Sequence, residues 1–364
     1  TVSGELRRST SLGIAYLGYS DYYGAGYVNL SNAGLVDVQS GTLSVFGSGA
    51  VAESSGRFQT TSTAGSTPTL LFSGGTTTLN AGAVITGIST DGSPASGITR
   101  LAGGSLSING PVTASSLEIQ NGTLNGSGTL TLTGGNNIWS GGTLADGGRL
   151  DVAAGATLSL TGGDKYLGAR SINNAGTIAW NSGNIWQLGD STISNSGLFD
   201  IRSDVVLRHQ GSVGSALTSF VNTVSGELRR STSLGIAYLG YSDYYGAGYV
   251  NLSNAGLVDV QSGTLSVFGS GAVAESSGRF QTTSTAGSTP TLLFSGGTTT
   301  LNAGAVITGI STDGSPASGI TRLAGGSLSI NGPVTASSLE IQNGTLNGSG
   351  TLTLTGGNNI WSGG

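Results

Sequence analysis

Carboxylates are the side chains of this sequence whose type and spacing could perform catalysis. Asp200 and Asp204 lie with Arg202 in the densest charged cluster, and Asp146 and Asp151 form a second pair. Two carboxylates roughly 5 to 10 Å apart are the machinery of glycoside hydrolysis, so such pairs could act on a polysaccharide. As outward or corner residues, the same acids would only solubilise a nearly neutral chain. That second interpretation is favoured, and no catalytic residue is predicted.

Residue types that hold metals and cofactors are scarce. His209 is the only histidine, and there is no cysteine, which excludes a multi-histidine or thiolate metal site within one copy of the chain. His209 is expected on an exposed strand face, and Arg7 and Arg8 beside Glu5 are expected to be a solvated charge group. The Gly47-Ser48-Gly49 stretch lacks the further glycine and the helix of a dinucleotide-binding loop. We therefore predict no metal and no cofactor.

Tyrosines are concentrated in residues 16–27, which hold five of them in twelve positions. A tyrosine ring offers a large contact area at low entropic cost and suits contacts with sugars or proteins. The rings could instead cover the strands beneath them. We expect the segment to leave the regular structure and protrude, with at least two of its five rings exposed. The predicted contact patch comprises Tyr16, Tyr19, Tyr22, Tyr23 and Tyr27, with their copies Tyr238, Tyr241, Tyr244, Tyr245 and Tyr249.

The patch occurs twice because the chain is a tandem repeat. Residues 1–142 recur without a change at 223–364, so the repeat is 222 residues long and residues 143–222 occur once. The predicted organisation is one full repeat unit, 1–222, followed by the start of the next, 223–364, with no independent globular domain. Copying a sequence in line multiplies length or valency, whereas a catalytic domain gains little from it.

A finer period predicts the elements that position these residues. Strand-like apolar pairs recur every 6 to 8 residues, and every third returns after 21, as from Ile178 to Phe199. Apolar and polar residues alternate within the runs, as at 157–160, which indicates strands with one buried face. Turn signals such as Ser196-Gly197 separate them. The sequence predicts an all-β, parallel, right-handed β-helix, or β-solenoid, with three short strands per coil of about 21 residues.

A motif of the form Asn-x-Gly-x-apolar marks one corner of the predicted coil. Glycine there tolerates positive φ, and stacked asparagine side chains can hydrogen-bond from coil to coil. Alternatively, these asparagines are separate turn residues. A looser copy of the motif begins at Asn222. The predicted corner ladder comprises Asn32, Asn174, Asn195 and Asn254.

Composition excludes several classes of protein. Glycine supplies 66 of 364 residues, which weakens helices, yet it keeps no three-residue period with proline as collagen requires. A net charge of −5 offers no basic face for nucleic acid. No run of 18 apolar residues exists, so no membrane insertion is predicted.

The runs at 171–178 and 32–45, with their Asn-x-Gly and Ser-Gly-Thr-Leu phrases, resemble very large repetitive bacterial surface proteins. Those proteins carry haemagglutinin-like or autotransporter-like β-helical stalks. The resemblance covers nearly the whole unit and implies a secreted, extracellular β-helix used as an adhesin or filament at the cell surface. The chain departs from a complete member by lacking a signal peptide, terminal caps, an anchor and a binding head.

The predicted function is structural: a stalk or filament segment of a giant adhesin-like repeat protein, and not an enzyme. Its expected partners are other copies of itself, through end-to-end or lateral contacts, and surface glycans or neighbouring cells. The alternatives are a β-helical enzyme acting on polysaccharide, which would depend on Asp200 or Asp204, and a glycan-binding module, which would depend on the tyrosines.

Overall fold

The computed structural model describes residues 4–21, 24–47, 53–210, 219–243, 246–269, 275–356 and 358–364. Every regular element within those ranges is a β-strand, which confirms the predicted all-β class. No helix capable of crossing a membrane is found in the described part of the chain. The residues form two compact units, unit 1 (1–172) and unit 2 (173–364).

Unit 1 is built from short strands in which alternate side chains point inward. In chain order they are β1 (Glu5–Arg8), β2 (Ile14–Leu17), β3 (Tyr19–Asp21), β4 (Gly24–Gly26), β5 (Leu35–Val38), β6 (Thr42–Phe46), β7 (Glu53–Ser54), β8 (Arg57–Ser62), β9 (Thr69–Gly74), β10 (Thr76–Leu79), β11 (Val84–Ser89), β12 (Ile98–Leu101), β13 (Ser105–Ile108), β14 (Val112–Ala114), β15 (Leu117–Ile119), β16 (Thr123–Asn125), β17 (Thr129–Leu132), β18 (Asn137–Trp139), β19 (Thr143–Leu144), β20 (Arg149–Val152), β21 (Thr157–Leu160) and β22 (Lys165–Leu167). The next strand, β23 (Ser171–Asn174), lies where one unit ends and the other begins.

Unit 2 continues in the same style. Its strands are β24 (Thr177–Trp180), β25 (Ile185–Gln187), β26 (Thr192–Asn195), β27 (Leu198–Ile201), β28 (Val206–His209), β29 (Ser219–Asn222), β30 (Glu227–Arg230), β31 (Ile236–Leu239), β32 (Tyr241–Asp243), β33 (Gly246–Gly248), β34 (Asn251–Asn254), β35 (Leu257–Val260), β36 (Thr264–Phe268), β37 (Glu275–Ser276), β38 (Arg279–Ser284), β39 (Thr291–Gly296), β40 (Thr298–Leu301), β41 (Val306–Ser311), β42 (Ile320–Leu323), β43 (Ser327–Ile330), β44 (Val334–Ala336), β45 (Leu339–Ile341), β46 (Thr345–Asn347), β47 (Leu352–Leu354) and β48 (Ile360–Trp361).

Each unit is a parallel β-helix in which a coil supplies one strand to each of three faces. In unit 1 the faces are β1-β5-β8-β11-β14-β17-β20, β2-β6-β9-β12-β15-β18-β21 and β7-β10-β13-β16-β19-β22. In unit 2, sheet I is β24-β27-β30-β35-β38-β41-β44-β47, and sheet II is β25-β28-β31-β36-β39-β42-β45-β48. Sheet III of unit 2 begins as β26-β29-β34 and continues as β37-β40-β43-β46. The prediction of three strands per coil is confirmed.

Coil length varies around the predicted period. The register shifts by 18 residues from Ser105 to Thr123, by 21 from Thr177 to Leu198 and by 32 from Asn222 to Asn254. Parallel stacking requires only that the strands of successive coils align, because their hydrogen bonds run from coil to coil. Additional residues are therefore accommodated in the corners between strands, and the longest interval contains the tyrosine segment.

The core runs along the inside of each unit. In the strands at 157–160 and 192–195, every second residue is buried, so the alternation in the sequence corresponds to inward and outward side chains. Phe199 packs edge-on against Phe220, with ring centroids 5.1 Å apart, and against Trp180 at 6.1 Å. All three rings are buried. Each contributes roughly 1.5 to 3 kcal/mol of hydrophobic stabilisation.

Glycine at the Asn-x-Gly corners has a different purpose from the predicted one. Gly197 and Gly256 do not have positive φ, but a Cβ on either would overlap a backbone carbonyl of the coil below: that of Gly176 for Gly197, and those of Gly226 and Thr223 for Gly256. Coils about 4.8 Å apart leave no room for that atom. The glycine in the motif therefore permits close stacking.

Candidate functional site

The tyrosine segment forms a β-hairpin that interrupts the coil. Strands β3 and β4 pair antiparallel, with Tyr19 opposite Gly26 and Asp21 opposite Gly24, and the second copy repeats this pairing with Tyr241 opposite Gly248. Every other strand pair described above is parallel. The hairpin follows β2 in the first copy and β31 in the second, so it is an excursion from one coil, as the sequence predicts.

In the first copy, the described rings of the hairpin are open to solvent. Tyr16, Tyr19 and Tyr27 are 53%, 54% and 54% exposed. Tyr16 and Tyr19 pack edge-to-face with centroids 5.2 Å apart, and Tyr27 stacks on Phe46 at the same distance. The rings thus hold one another in place while leaving faces available for contact.

The second copy keeps this arrangement with less exposure. Tyr238 and Tyr241 are 4.9 Å apart edge-to-face, and Tyr249 stacks on Phe268 at 5.2 Å. Tyr241 is 37% exposed, and Tyr238 and Tyr249 are half-buried. Strand β31 pairs with β28, so the coil below covers part of the patch. The remaining predicted members, Tyr22, Tyr23, Tyr244 and Tyr245, lie outside the described residues.

The corner asparagines of unit 2 form a continuous buried row. The Nδ2 atom of Asn174 donates to Oδ1 of Asn195 at 2.7 Å, Asn195 donates to Asn222 at 2.8 Å, and Asn222 donates to Asn254 at 2.8 Å. Asn222, the looser copy of the motif, thus belongs to the row. All four side chains point the same way, an arrangement in which each bond polarises the next.

Each asparagine also bonds the backbone of the following coil. Nδ2 of Asn195 donates to the carbonyl of Glu227 at 3.0 Å, and Nδ2 of Asn222 donates to that of Leu257 at 2.9 Å. In unit 1, Asn32 bonds the carbonyl of Arg57 in the same way, at 3.0 Å. Both hydrogens of the amide are therefore used to hold consecutive coils together.

The join between copies, at residues 222 and 223, lies inside unit 2 and shows no break. Strand β27 of the first copy pairs with β30 of the second, which places Phe199 beside Leu228, and β28 pairs with β31. The asparagine row crosses the join between Asn222 and Asn254. One copy of the repeat therefore stacks on the next as one coil stacks on another.

A buried cation also crosses the join. Arg230 is fully buried, pairs with Asp204 and donates to the carbonyl of Ser203 at 2.8 Å. Burial lowers the pKa of this guanidinium, and the hydrogen bond to Asp204 opposes that shift. The expectation of a solvated arginine in this motif is wrong for Arg230, the copy of Arg8, because Arg230 lies in phase with the inward Leu228.

Two more buried cations were missed by sequence reasoning. Arg170 is fully buried and donates to four carbonyls, those of Gly126, Gly128, Ala145 and Arg149, at 2.6 to 3.3 Å. Lys165 is also fully buried, and its Nζ donates to the carbonyl of Gly163 at 2.8 Å. Lys165 is two residues from the inward Leu167, so the strand alternation contained the signal for it.

His209 is likewise inward, and the expectation of an exposed histidine is wrong. It is 7% exposed and lies two residues after the core residue Leu207 on β28. Burial lowers its pKa, and the charge of Asp190 partly offsets the effect. Its position follows from strand phase, which placed Arg208 rather than His209 on the outer face.

The carboxylates considered for catalysis have structural partners. Asp200 pairs with Arg202 at 2.7 Å, and Asp151 pairs with Arg149 at 2.7 Å. Asp204 accepts from Arg230, and Ser233 Oγ donates to it at 2.8 Å. Asp146 accepts from the Gly126 amide at 3.1 Å. Among the residues that the structure describes, no three His, Cys, Asp or Glu side chains form a group that could hold a metal.

Lys165 makes stability depend on pH. Burial lowers its pKa from the ordinary 10.5 to about 8, and Asp164 opposes that shift. Because the folded-state pKa lies below the unfolded one, the unfolded chain binds more protons between pH 8 and 10.5. The free energy of unfolding should therefore rise with pH across that window through this group, by up to about 3 kcal/mol.

The comparison of wild type with Lys165→Met isolates this effect, since titration of the tyrosines is common to both proteins. In urea unfolding, the variant should be the more stable protein at pH 7.5, and its advantage should shrink by pH 10. A difference that stays constant across this range would show that Lys165 keeps its ordinary pKa.

Comparisons with known proteins add no family. No family model matches the chain, and neither the curated proteins nor the solved structures contain a significant match. What is established is the parallel β-solenoid built from a tandem repeat.

Proposed function

We propose that this chain is a stalk or filament segment of a large secreted repeat protein at a bacterial cell surface. In that role it supplies length and repeated contact patches. The observation that carries the proposal is the unbroken join, through which strand pairing, core and asparagine row all continue. A repeat that stacks on its own next copy can be extended without a new interface. The resemblance of its corner phrases to haemagglutinin-like and autotransporter-like stalks supports a location outside the cell.

The proposed role is non-catalytic. The carboxylates of Asp200 and Asp204 are held by arginines, an arrangement that stabilises the coil, whereas a glycosidase needs one carboxyl group with a raised pKa. The proposed partners are other copies of this chain, surface glycans and neighbouring cells. Nucleic acid and membrane insertion have no part in the proposal, and the net charge of −5 is consistent with the first of these exclusions.

The length of purified chains with one to four repeat units tests the stalk. Twenty-eight described strands per repeat, three to a coil, correspond to about nine coils. At about 4.8 Å per coil, each added unit should lengthen the particle by about 45 Å in electron micrographs. Particles that instead form strings of separate globules would overturn the proposal. Release of reducing ends from any polysaccharide, lost on Asp200→Asn, would favour the enzyme.

A glycan-binding module is the second candidate, favoured by the half-exposed rings of Tyr16, Tyr19 and Tyr27. Aromatic faces stack on sugar rings, and identical patches on one chain combine weak sites into strong avidity. The same rings would serve contacts between neighbouring solenoids.

The combined change Tyr19→Ser and Tyr241→Ser separates contact from structure. Both rings are exposed, so we expect the free energy of unfolding to change by no more than about 0.5 kcal/mol. Binding to a glycan array, or lateral association measured by light scattering, should weaken about 10-fold or more because several sites act together.

The matched control is Tyr249→Ser, which removes a half-buried ring stacked on Phe268. That variant should lose stability, since it uncovers Phe268. If the exposed-ring variant loses as much stability as this control, the rings serve folding, and the contact role fails.

A further inference from the structure

The number of strands in a repeat has a consequence for an array of copies, and this inference rests on the proposed function. Among the described residues, the second copy places seventeen strands around the coil between 223 and 364, apart from the hairpin strands β32 and β33. Residues 143–222, which complete a unit, contribute eleven more. One repeat thus supplies 28 strands, which is one more than a multiple of three.

Unit 2 shows the order in which strands take their places. From β24 to β48, the strands of the coil fall in sheet I, sheet II and sheet III in strict rotation. The first strand of the second copy, β30, lies in sheet I, directly after β29 in sheet III. The order holds on both sides of residues 211–218, because β28 pairs with β31 and β29 pairs with β34.

A copy that begins on sheet I is therefore followed by a copy that begins on sheet II. We propose that consecutive copies of the repeat present each side chain on successive faces of the solenoid, so that the arrangement recurs only after three copies. The tyrosine hairpin, which lies between β31 of sheet II and β34 of sheet III in the second copy, then moves to each of the three corners in turn.

The physical basis is that stacking does not depend on which face a strand occupies. Parallel pairing uses backbone groups that every strand carries, and the inward side chains of all three sheets are apolar. At the join, for example, Phe199 of β27 meets Leu228 of β30 in ordinary register. Nothing in the core requires a whole number of coils per repeat, and the one additional strand shifts each copy by one face.

The shift determines how the hairpins meet a partner. Adjacent hairpins are separated by about 45 Å along the solenoid, and hairpins on the same corner by about 130 Å. A flat target would contact one hairpin in three. Neighbouring solenoids or ligands on every side of the array would each find a hairpin facing them, which suits a fibre that associates laterally in more than one direction.

Cryo-electron microscopy of a chain with three complete repeat units tests the inference. Because the protein has no cysteine, Ser20→Cys in each copy provides a single attachment point per hairpin for a gold cluster. Three labels at three different corners of one continuous solenoid are expected. Three labels at the same corner would overturn the inference and leave the stalk intact. Copies that fold as separate bodies would overturn the inference and the proposed function together.

A coil-deletion variant provides the control. Removal of residues 177–197 takes out β24, β25 and β26 and joins Gly176 to Leu198, a junction equivalent to the natural Gly197-Leu198. Each copy then contributes 25 strands, still one more than a multiple of three. The labels should keep their change of face while their spacing falls by about 4.8 Å per copy. A change in the order of faces would contradict the strand count.

Discussion

Replacement of Asn222 by alanine should lower the free energy of unfolding by about 3 kcal/mol, measured by urea denaturation of the 364-residue chain. The side chain is fully buried at the join between copies and donates to Asn254 and to the carbonyl of Leu257. Without it, the carbonyl of Leu257 loses its side-chain donor, and Asn195 loses an acceptor. A methyl group replaces none of these bonds.

Asn121→Ala is the matched control, because Asn121 is an exposed asparagine of the same fold. That change should alter stability by less than about 0.5 kcal/mol. Hydrogen exchange should also become faster in the strands β29 and β34 that flank Asn222, with little change at β44 and β47. Equal effects of the two substitutions would show that the asparagine row does not stabilise the join.

Gly256→Ala should be at least as damaging, at about 3 kcal/mol or more. The added Cβ would overlap the carbonyl oxygens of Gly226 and Thr223 in the coil below. Relief of that overlap requires the coils to separate, which lengthens the hydrogen bonds between β30 and β35. The variant should unfold at lower urea concentration and lose amide protection in these two strands.

Gly287→Ala distinguishes close approach from backbone conformation. Gly287 has a φ of +78° with no atom within 4 Å of the added Cβ. Alanine there meets only the left-handed backbone penalty of about 1 kcal/mol. If Gly256→Ala costs no more than this control, the corner has room for a side chain, and the explanation of the Asn-x-Gly motif is incorrect.

The architecture was accessible from the sequence because it follows from local, repeated patterns. Alternation within the runs identified the strands, and the return of every third run identified a three-strand coil. The Asn-x-Gly phrase placed Asn174, Asn195 and Asn254 at one corner, where the structure joins them through Asn222. The tyrosine hairpin was recognisable as the content of the longest interval.

Other features could not be read in this way because they depend on what lies above and below a residue. Leu6 and Leu228 have identical sequence neighbours on their C-terminal side, yet Leu6 is 38% exposed and Leu228 is fully buried against Phe199. Arg230 has a buried partner in Asp204, 26 residues earlier, that no local pattern announces. His209 was misplaced for a related reason, since its inward phase was overlooked in favour of its polarity.

The sequence by itself determined the β-class, the three-strand coil, the repeat of 222 residues and the corner motif, since period and strand phase are properties of the chain alone. Only the tertiary structure decided that Gly256 serves close stacking, that Lys165, Arg170 and Arg230 are buried cations, and that one repeat stacks directly on the next. The physical reason is that each of these depends on the register between coils. Residues 18 to 32 positions apart become neighbours about 4.8 Å away, and corners of variable length set that register.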